Sequence, residues 1–335
     1  MTELGIGLIG CGSWGKRLAN MVTRLDGAGM VAVQDRAFST AQELGDSLGV
    51  PAYPTYQELL NDTEVGAVLV VIPHSLHEEV CVAVAEAGRH IFCEKPLAIN
   101  VQQCYRIIDA AEKHRLKLMC GQVTRLYPIY ARVAEIVESG RLGDLAAANL
   151  SSLTHIDRVS WWARSETMGA LLHSPGVHII DYLLFVCGRA TSVNAVESRV
   201  RVQKGVDYQD SVFLQVEFEN GSIGGIQSTV SCLTPDQHGH IIGTLGSLRF
   251  DPGRRLIEIA AWDGKKERID VELPRGQTRT DIGVRAELQN FVDWITHDAE
   301  PILTGWDGLR AVEIIDAAYL SIAEKRSIQL PLPRS

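Results

Sequence analysis

Gly10, Gly12 and Gly15 are spaced as G-x-G-x-x-G in the run Gly10-Cys11-Gly12-Ser13-Trp14-Gly15, and Asp35 follows about 20 residues beyond. Those residue types suit a dinucleotide. Backbone N–H groups at a helix N-terminus hold a pyrophosphate, and a carboxylate accepts hydrogen bonds from a ribose diol. Gly10 permits the tight turn, Gly12 lets the backbone approach the phosphates, and Gly15 lets the helix pack closely. Asp35 favours a free 2′-hydroxyl and hence NAD. Arg36, next in the chain, can accommodate a 2′-phosphate and leaves NADP open.

Three further clusters carry groups able to move protons. The first is Ile72-Pro73-His74-Ser75-Leu76-His77, the second Glu94-Lys95-Pro96, and the third His173-Ser174-Pro175-Gly176-Val177-His178-Ile179-Ile180-Asp181. They are expected where a nucleotide-binding domain meets a second domain. Pro73, His74, His77, Glu94 and Lys95 are counted with the glycine loop, Asp35 and Arg36 as cofactor contacts, because they end strands on the nucleotide-binding edge. Each has a plain structural alternative. His77 suits a supporting group in a first helical turn, Lys95 an exposed turn residue before proline, and His173 a hydrogen-bonded core histidine. Arg125 and Tyr127, then Trp161, Trp162 and Arg164, are candidate substrate contacts. An aromatic face beside an arginine suits a sugar ring, although paired tryptophans also pack on each other. Cys232, His238 and His240 fit no usual zinc spacing and read as a polar loop; no metal is expected.

The elements that must hold these groups can be read from periodicity. Leu4–Ile9 is a short buried strand, Leu18, Met21, Val22 and Leu25 mark a helix, and Met30–Val33 a second strand. Ser39 with Gln42, and Ser75 with Glu78, predict capping boxes for helices stopping near Gly49 and Gly88. The apolar run Ala67–Ile72 predicts a strand buried on both faces. His90–Cys93, a helix at Val101–Lys113 and Leu116–Cys120 continue the alternation, so the first third is a doubly wound parallel sheet. Past residue 122 the rhythm changes. One helix follows Pro128. Alternating segments then predict a mostly antiparallel sheet: Leu145–Thr154, Thr191–Val202, Ser211–Phe218, Ser222–Ser231, Ile241–Phe250, Leu256–Trp262 and Arg268–Val271. Helices near Ile282–Ile295 and Trp306–Glu324 close the chain. The expected fold is α/β: a Rossmann domain over 1–122 and an α/β domain with a large open sheet over 123–335. The C-terminal helix is expected to pack back on the first.

Composition agrees with two ordinary domains. The chain has 335 residues, 46% hydrophobic, 22% charged, with a net charge of −9. The negative charge argues against nucleic acid as a partner. The apolar runs are shorter than a membrane helix needs, and Met1-Thr2-Glu3 does not open a signal peptide, so a cytoplasmic location is expected. Seven scattered cysteines do not suggest a disulfide framework.

The chain resembles the Gfo/Idh/MocA oxidoreductases, a group including glucose–fructose oxidoreductase and inositol dehydrogenase. The likeness rests on Gly10–Gly15, Ile72–Val80, Phe92-Cys93-Glu94-Lys95-Pro96-Leu97, Gly140-Arg141-Leu142-Gly143, Gly176–Asp181 and the tail Trp306–Glu324, with E-K-P the most specific signature. It implies NAD(P), an alcohol substrate on a sugar, polyol or cyclitol, and dimers or tetramers built on the open sheet. It also implies that Lys95 and His178 stand at catalytic positions. The residue types suit that chemistry: a neutral imidazole at His178 takes the hydroxyl proton, and Lys95 stabilises the developing alkoxide. Asp181 either orients the imidazole or supports the helix. Many members carry an aspartate four residues before the histidine; here Ser174 stands there, preceded by His173, which is the candidate to compensate. Two other functions remain open: a redox glycoside-cleaving enzyme that holds NAD tightly, and a non-catalytic dinucleotide or sugar sensor.

Overall fold

In the computed structural model, which describes residues 3–158, 160–199, 201 and 205–334, the first apolar run is strand β1 (Leu4–Ile9) and leads directly into helix α1 (Ser13–Val22). The alternation continues through β2 (Ala28–Gln34), α2 (Phe38–Leu48), β3 (Ala52–Tyr53), α3 (Tyr56–Leu60), β4 (Ala67–Val70), α4 (His77–Glu86), β5 (His90–Glu94), α5 (Val101–Lys113) and β6 (Leu118–Gly121). The strands form one parallel sheet in the order β3-β2-β1-β4-β5-β6. Residues 67–70 and 91–93 are wholly buried, which is why these strands read as unbroken apolar runs. The order reverses between β1 and β4, the place where such a sheet opens at its carboxyl edge.

Residues up to Gln122 form one compact unit with Val284–Leu309. That late segment is built into the unit's core. Phe291 sits edge-on to Phe92 at 5.7 Å between ring centroids. A Cβ on Gly308 would stand 2.8 Å from Cys120 Sγ, so only glycine lets the segment lie this close.

Local details depart from expectation. Neither capping box forms. Ala37 is the N-cap of α2, which places Ser39 inside the first turn, and a 3-10 turn at His74–Leu76 runs straight into α4. The side-chain caps in this region are Thr55, which accepts the Glu58 N–H at the start of α3, and Asn100, which accepts the Gln103 N–H at the start of α5. The two-residue edge strand β3 is too short to leave a periodic signal.

The second unit is Val123–Gly283 with Arg310–Ser335. It holds α6 (Pro128–Glu138), β7 (Leu145–His155), α7 (Ser165–Met168), α8 (Pro175–Cys187), β8 (Ala190–Ser198), β9 (Ser211–Phe218), β10 (Ile223–Thr229), β11 (Ser231–Gly243), β12 (Gly246–Asp251), β13 (Leu256–Ala261), β14 (Lys266–Asp270) and β15 (Ile328–Gln329). The unit boundaries fall inside α9 (Arg279–His297) and α10 (Gly305–Glu324). The nine strands run β14-β13-β12-β11-β7-β10-β9-β8-β15, antiparallel except for the parallel pair β7 and β10. One face carries the core. Val212, Leu214, Val216 and Phe218 alternate inward along β9, and α8 packs Val177, Ile180 and Leu183 into the same cluster. Tyr130, Tyr182 and Phe250 meet edge to face there, with centroids 4.7 to 6.2 Å apart.

The segment expected as one strand, Ile241–Phe250, is the hairpin of β11 and β12. Thr244 and Leu245 turn between Gly243 and Gly246, and alternation persists across the turn and hides it. Cys232, His238 and His240 lie on β11 rather than in a loop. The strand expected over Thr191–Val202 ends at Ser198, and Val200 and Val202 lie outside the described residues. Among the described residues no single helix is long and apolar enough to cross a membrane.

Candidate active site

In the first unit, the glycine loop follows β1. Gly10 has φ +101°, and a Cβ there would stand 2.1 Å from the Val71 carbonyl. A Cβ on Gly15 would stand 1.9 Å from the Gly10 carbonyl. The chain's own packing therefore demands both glycines. Gly12 differs. It is the N-cap of α1, and a Cβ there would meet nothing within 4 Å. The protein does not need glycine at that position, so the open space before the helix N-terminus is what it preserves. An α1 N-terminus with unobstructed N–H groups fits a pyrophosphate.

Asp35 lies past the end of β2. Its Oδ2 accepts the Cys11 N–H at 2.8 Å and its Oδ1 the Ala37 N–H at 2.9 Å. The carboxylate is thus fixed beside the loop, with lone pairs remaining for a diol. Arg36 beside it is exposed. The donor set, the clear space and the fixed acid together fit a dinucleotide.

The E-K-P segment ends β5. Glu94 is buried; its Oε1 accepts Trp14 Nε1–H at 2.6 Å and its Oε2 the Lys95 N–H at 3.2 Å. Burial raises the Glu94 pKa, opposed by the Trp14 bond and the Lys95 charge. Trp14 belongs to the glycine loop, so this bond joins the loop to the residue before Lys95. Burial lowers the Lys95 pKa from its ordinary 10.5, opposed by the neighbouring Glu94 charge. The Lys95–Pro96 peptide is cis.

Two of the expected cofactor contacts, His77 and His74, lie in the interior of the first unit. His77 has no exposed surface, and its Nδ1 and Nε2 lie 2.8 and 3.0 Å from the carbonyls of Pro96 and Ile72. His74 is also buried, at 4% exposure, with its ring 5.6 Å from that of His77. Pro73 is half-buried.

In the second unit, Pro175 opens α8 and sets His178, half-buried, in its first turn. One turn on, Asp181 is wholly buried. Its two oxygens accept Arg125 Nε–H at 2.8 Å and Nη2–H at 2.5 Å, and the guanidinium lies 4.7 Å from the Phe185 ring centroid. Arg125, a candidate substrate contact, is 6% exposed, and its bidentate partner and aromatic face anchor α8.

His173 and Ser174 close the turn before α8, and both are buried. His173 Nδ1 accepts the Ala170 N–H at 2.9 Å, which places the proton of the neutral ring on Nε2. The ring stacks on Tyr319 with 3° between planes, and a Cβ on Gly169 would stand 2.5 Å from its Cγ. The ring is therefore held on two faces. Tyr319 was missed in the sequence. Its hydroxyl accepts the Leu172 N–H at 3.1 Å and Gln209 Nε2–H at 2.7 Å, and it comes from α10, 147 residues beyond Leu172. Arg158, buried with its guanidinium 4.6 Å from the Tyr208 ring centroid, was missed too.

The remaining candidates are half-buried or exposed. Trp161 and Trp162 are half-buried and pack on each other at 4.9 Å. Arg164 is exposed, with Asp207 3.8 Å away. Tyr127 is half-buried, with Arg279 5.5 Å from its ring centroid.

Comparison with known proteins places this arrangement. Residues 4–122 match the family model described as oxidoreductase family, NAD-binding Rossmann fold, and residues 134–330 match that family's C-terminal alpha/beta domain. Inositol 2-dehydrogenase 2 of Saccharopolyspora erythraea is 30% identical over 332 residues, covering 96% of this chain and 93% of that protein. Myo-inositol 2-dehydrogenase of Thermotoga maritima is 27% identical, covering 97% and 98%. Among solved structures, levoglucosan dehydrogenase in complex with NADH and L-sorbose superposes with a TM-score of 0.91 at 23% identity, covering 99% of this chain and all of that one (100%). A putative myo-inositol dehydrogenase from Sinorhizobium meliloti gives a TM-score of 0.84 at 26% identity, covering 98% and 100%.

Proposed function

The chain belongs to the Gfo/Idh/MocA oxidoreductase family, and on that premise we propose that it oxidises a secondary alcohol of a cyclitol, polyol or sugar. NAD, when bound at the glycine loop and Asp35, supplies the hydride acceptor. The observation that carries the reading is Lys95, an ammonium whose pKa is lowered by burial and whose preceding residue is bonded to the glycine loop through Trp14.

In this reading Lys95 hydrogen-bonds the reacting hydroxyl and stabilises the oxygen as negative charge develops. His178 accepts the hydroxyl proton as a neutral imidazole. The Arg125–Asp181 pair keeps the first turns of α8, and so His178, in place. Ser174 and His173 supply a hydroxyl and an Nε2–H donor where an aspartate is usual in the family. A donor there favours an acceptor oxygen on the substrate over a second hydroxyl proton. The outward face of the large sheet carries Val196, Phe213, Ile223 and Ile242, 43 to 64% exposed, and we assign it to pairing between copies of the chain.

The test is an NAD and NADP reduction screen over inositols, monosaccharides, sugar acids and glycosides, run with wild type and Lys95→Ala. Stoichiometric NADH from a free polyol, with kcat/KM falling about 100- to 10,000-fold in the variant, supports the proposal. Aglycone release without net NADH would instead assign glycoside cleavage. Unchanged turnover in Lys95→Ala would remove the residue from the chemistry.

A further inference from the structure

Lys95 is bracketed by bonds to the residues on either side of it. Ahead of it, Glu94 holds both Trp14 and the Lys95 N–H. Behind it, the Pro96 carbonyl lies 2.8 Å from His77 Nδ1, while His77 Nε2 lies 3.0 Å from the Ile72 carbonyl just past β4. β4 and β5 are adjacent strands, and the ring bridges their exits. Cys93 Sγ lies 3.4 Å from Nδ1, the Leu97 backbone also hydrogen-bonds the ring, and His74 packs on it. Fully buried, His77 meets only protein, and the reaction proposed above gives it no task.

We propose that His77 is a positioning residue for Lys95: by tying the Pro96 carbonyl to the end of β4, it fixes the backbone from which the ammonium projects. The inference rests on the reading of Lys95 as a catalytic group. A lysine head on a flexible four-carbon stem is only as well placed as its backbone and packing allow. A misplacement of about 1 Å costs up to about 100-fold in rate. A neutral ring donates to one carbonyl and an imidazolium to both. Burial and the Lys95 charge favour the neutral form. The tautomer with its proton on Nδ1 makes the Pro96 bond, and the ring lies between the two strand exits in either form.

The test uses the full chain as His77→Leu, His77→Gln, Lys95→Ala and the double variant His77→Leu/Lys95→Ala. Turnover is measured with NAD and myo-inositol. Separately, without cofactor, the pH dependence of Lys95 labelling by an amine-reactive reagent is followed by peptide mass spectrometry. In His77→Leu, kcat falls about 10- to 100-fold with little change in KM. The Lys95 labelling profile moves to higher pH, because a loosened segment lets water reach the ammonium beside Glu94. His77→Gln, which keeps a donor, recovers part of both, and it carries the test should His77→Leu not fold. In the Lys95→Ala background, His77→Leu produces no further loss. The inference is overturned if His77→Leu lowers Tm while kcat and labelling stay as in wild type, or if its loss is equal in both backgrounds. Wild-type turnover in Lys95→Ala would sink the reading of Lys95 instead, and the labelling shift would still report whether His77 positions it.

Discussion

Replacing Gly12 by alanine should separate cofactor binding from folding. Gly12 has φ −63° and ψ −177°, a backbone open to any residue, and its new methyl meets no protein atom within 4 Å. Two small terms remain. A stiffer unfolded chain stabilises by about 0.4–1 kcal/mol, and alanine is a poorer N-cap than glycine by a similar amount. The net change in stability is within about 0.5 kcal/mol. Binding responds differently, because the methyl occupies the space before the α1 N–H groups. Losing or lengthening one charge-assisted bond to a phosphate costs about 1.5–3 kcal/mol, or roughly 10- to 100-fold in affinity. Gly10→Ala provides the contrast. With φ +101° and a Cβ placed 2.1 Å from the Val71 carbonyl, it should lose at least about 2 kcal/mol of stability with no cofactor present. Titration calorimetry with NADH and urea unfolding of the cofactor-free protein read the two quantities. Should Gly12→Ala bind NADH within about twofold of wild type, the open space before α1 is not a phosphate site.

Two further perturbations follow from buried charges. Arg125→Ala strands Asp181, which is wholly buried, and should cost about 3–5 kcal/mol; Arg125→Met with Asp181→Leu should recover most of it, and urea midpoints of the two variants decide. Trp14→Phe removes a bond that lowers the Glu94 pKa, leaving burial to raise it further. A folded-state pKa above the unfolded 4.5 means the folded state binds more protons, so stability is lost as pH rises through that window. The variant should therefore be destabilised more at pH 8 than at pH 5 in urea unfolding, and an equal loss at both pH values would contradict the assignment.

The parallel sheet was legible because its strands are buried on both faces, and unbroken apolar runs such as 67–70 survive any detail of helix capping. The caps were not legible, because Ser39 and Ser75 have suitable neighbours but the chain enters its helices a residue or more earlier. Positions fixed by local backbone, namely the glycine loop, Asp35 and His178 in the first turn of α8, were readable from spacing. Partners fixed by tertiary approach were not. Arg125 reads in the sequence as a candidate substrate contact, with no sign of the Asp181 and Phe185 that surround it, and Tyr319 reaches the His173 turn from the far end of the chain. The β11–β12 turn went unseen because alternation runs through it, and Gly243-Thr244-Leu245-Gly246 was the available signal.

Val284–Leu309 completes the core of the first unit, with Phe291 on Phe92 and Gly308 against Cys120. During synthesis that core waits for its last piece. At about 5–20 residues per second, roughly 10–40 s separate the emergence of Gln122 from that of Leu309. Through that interval the nascent sheet presents Phe92, Leu118 and Cys120 to the surroundings, a natural substrate for a holding chaperone. A stop codon just beyond residue 122 would release a nucleotide-binding fragment whose apolar side never closes.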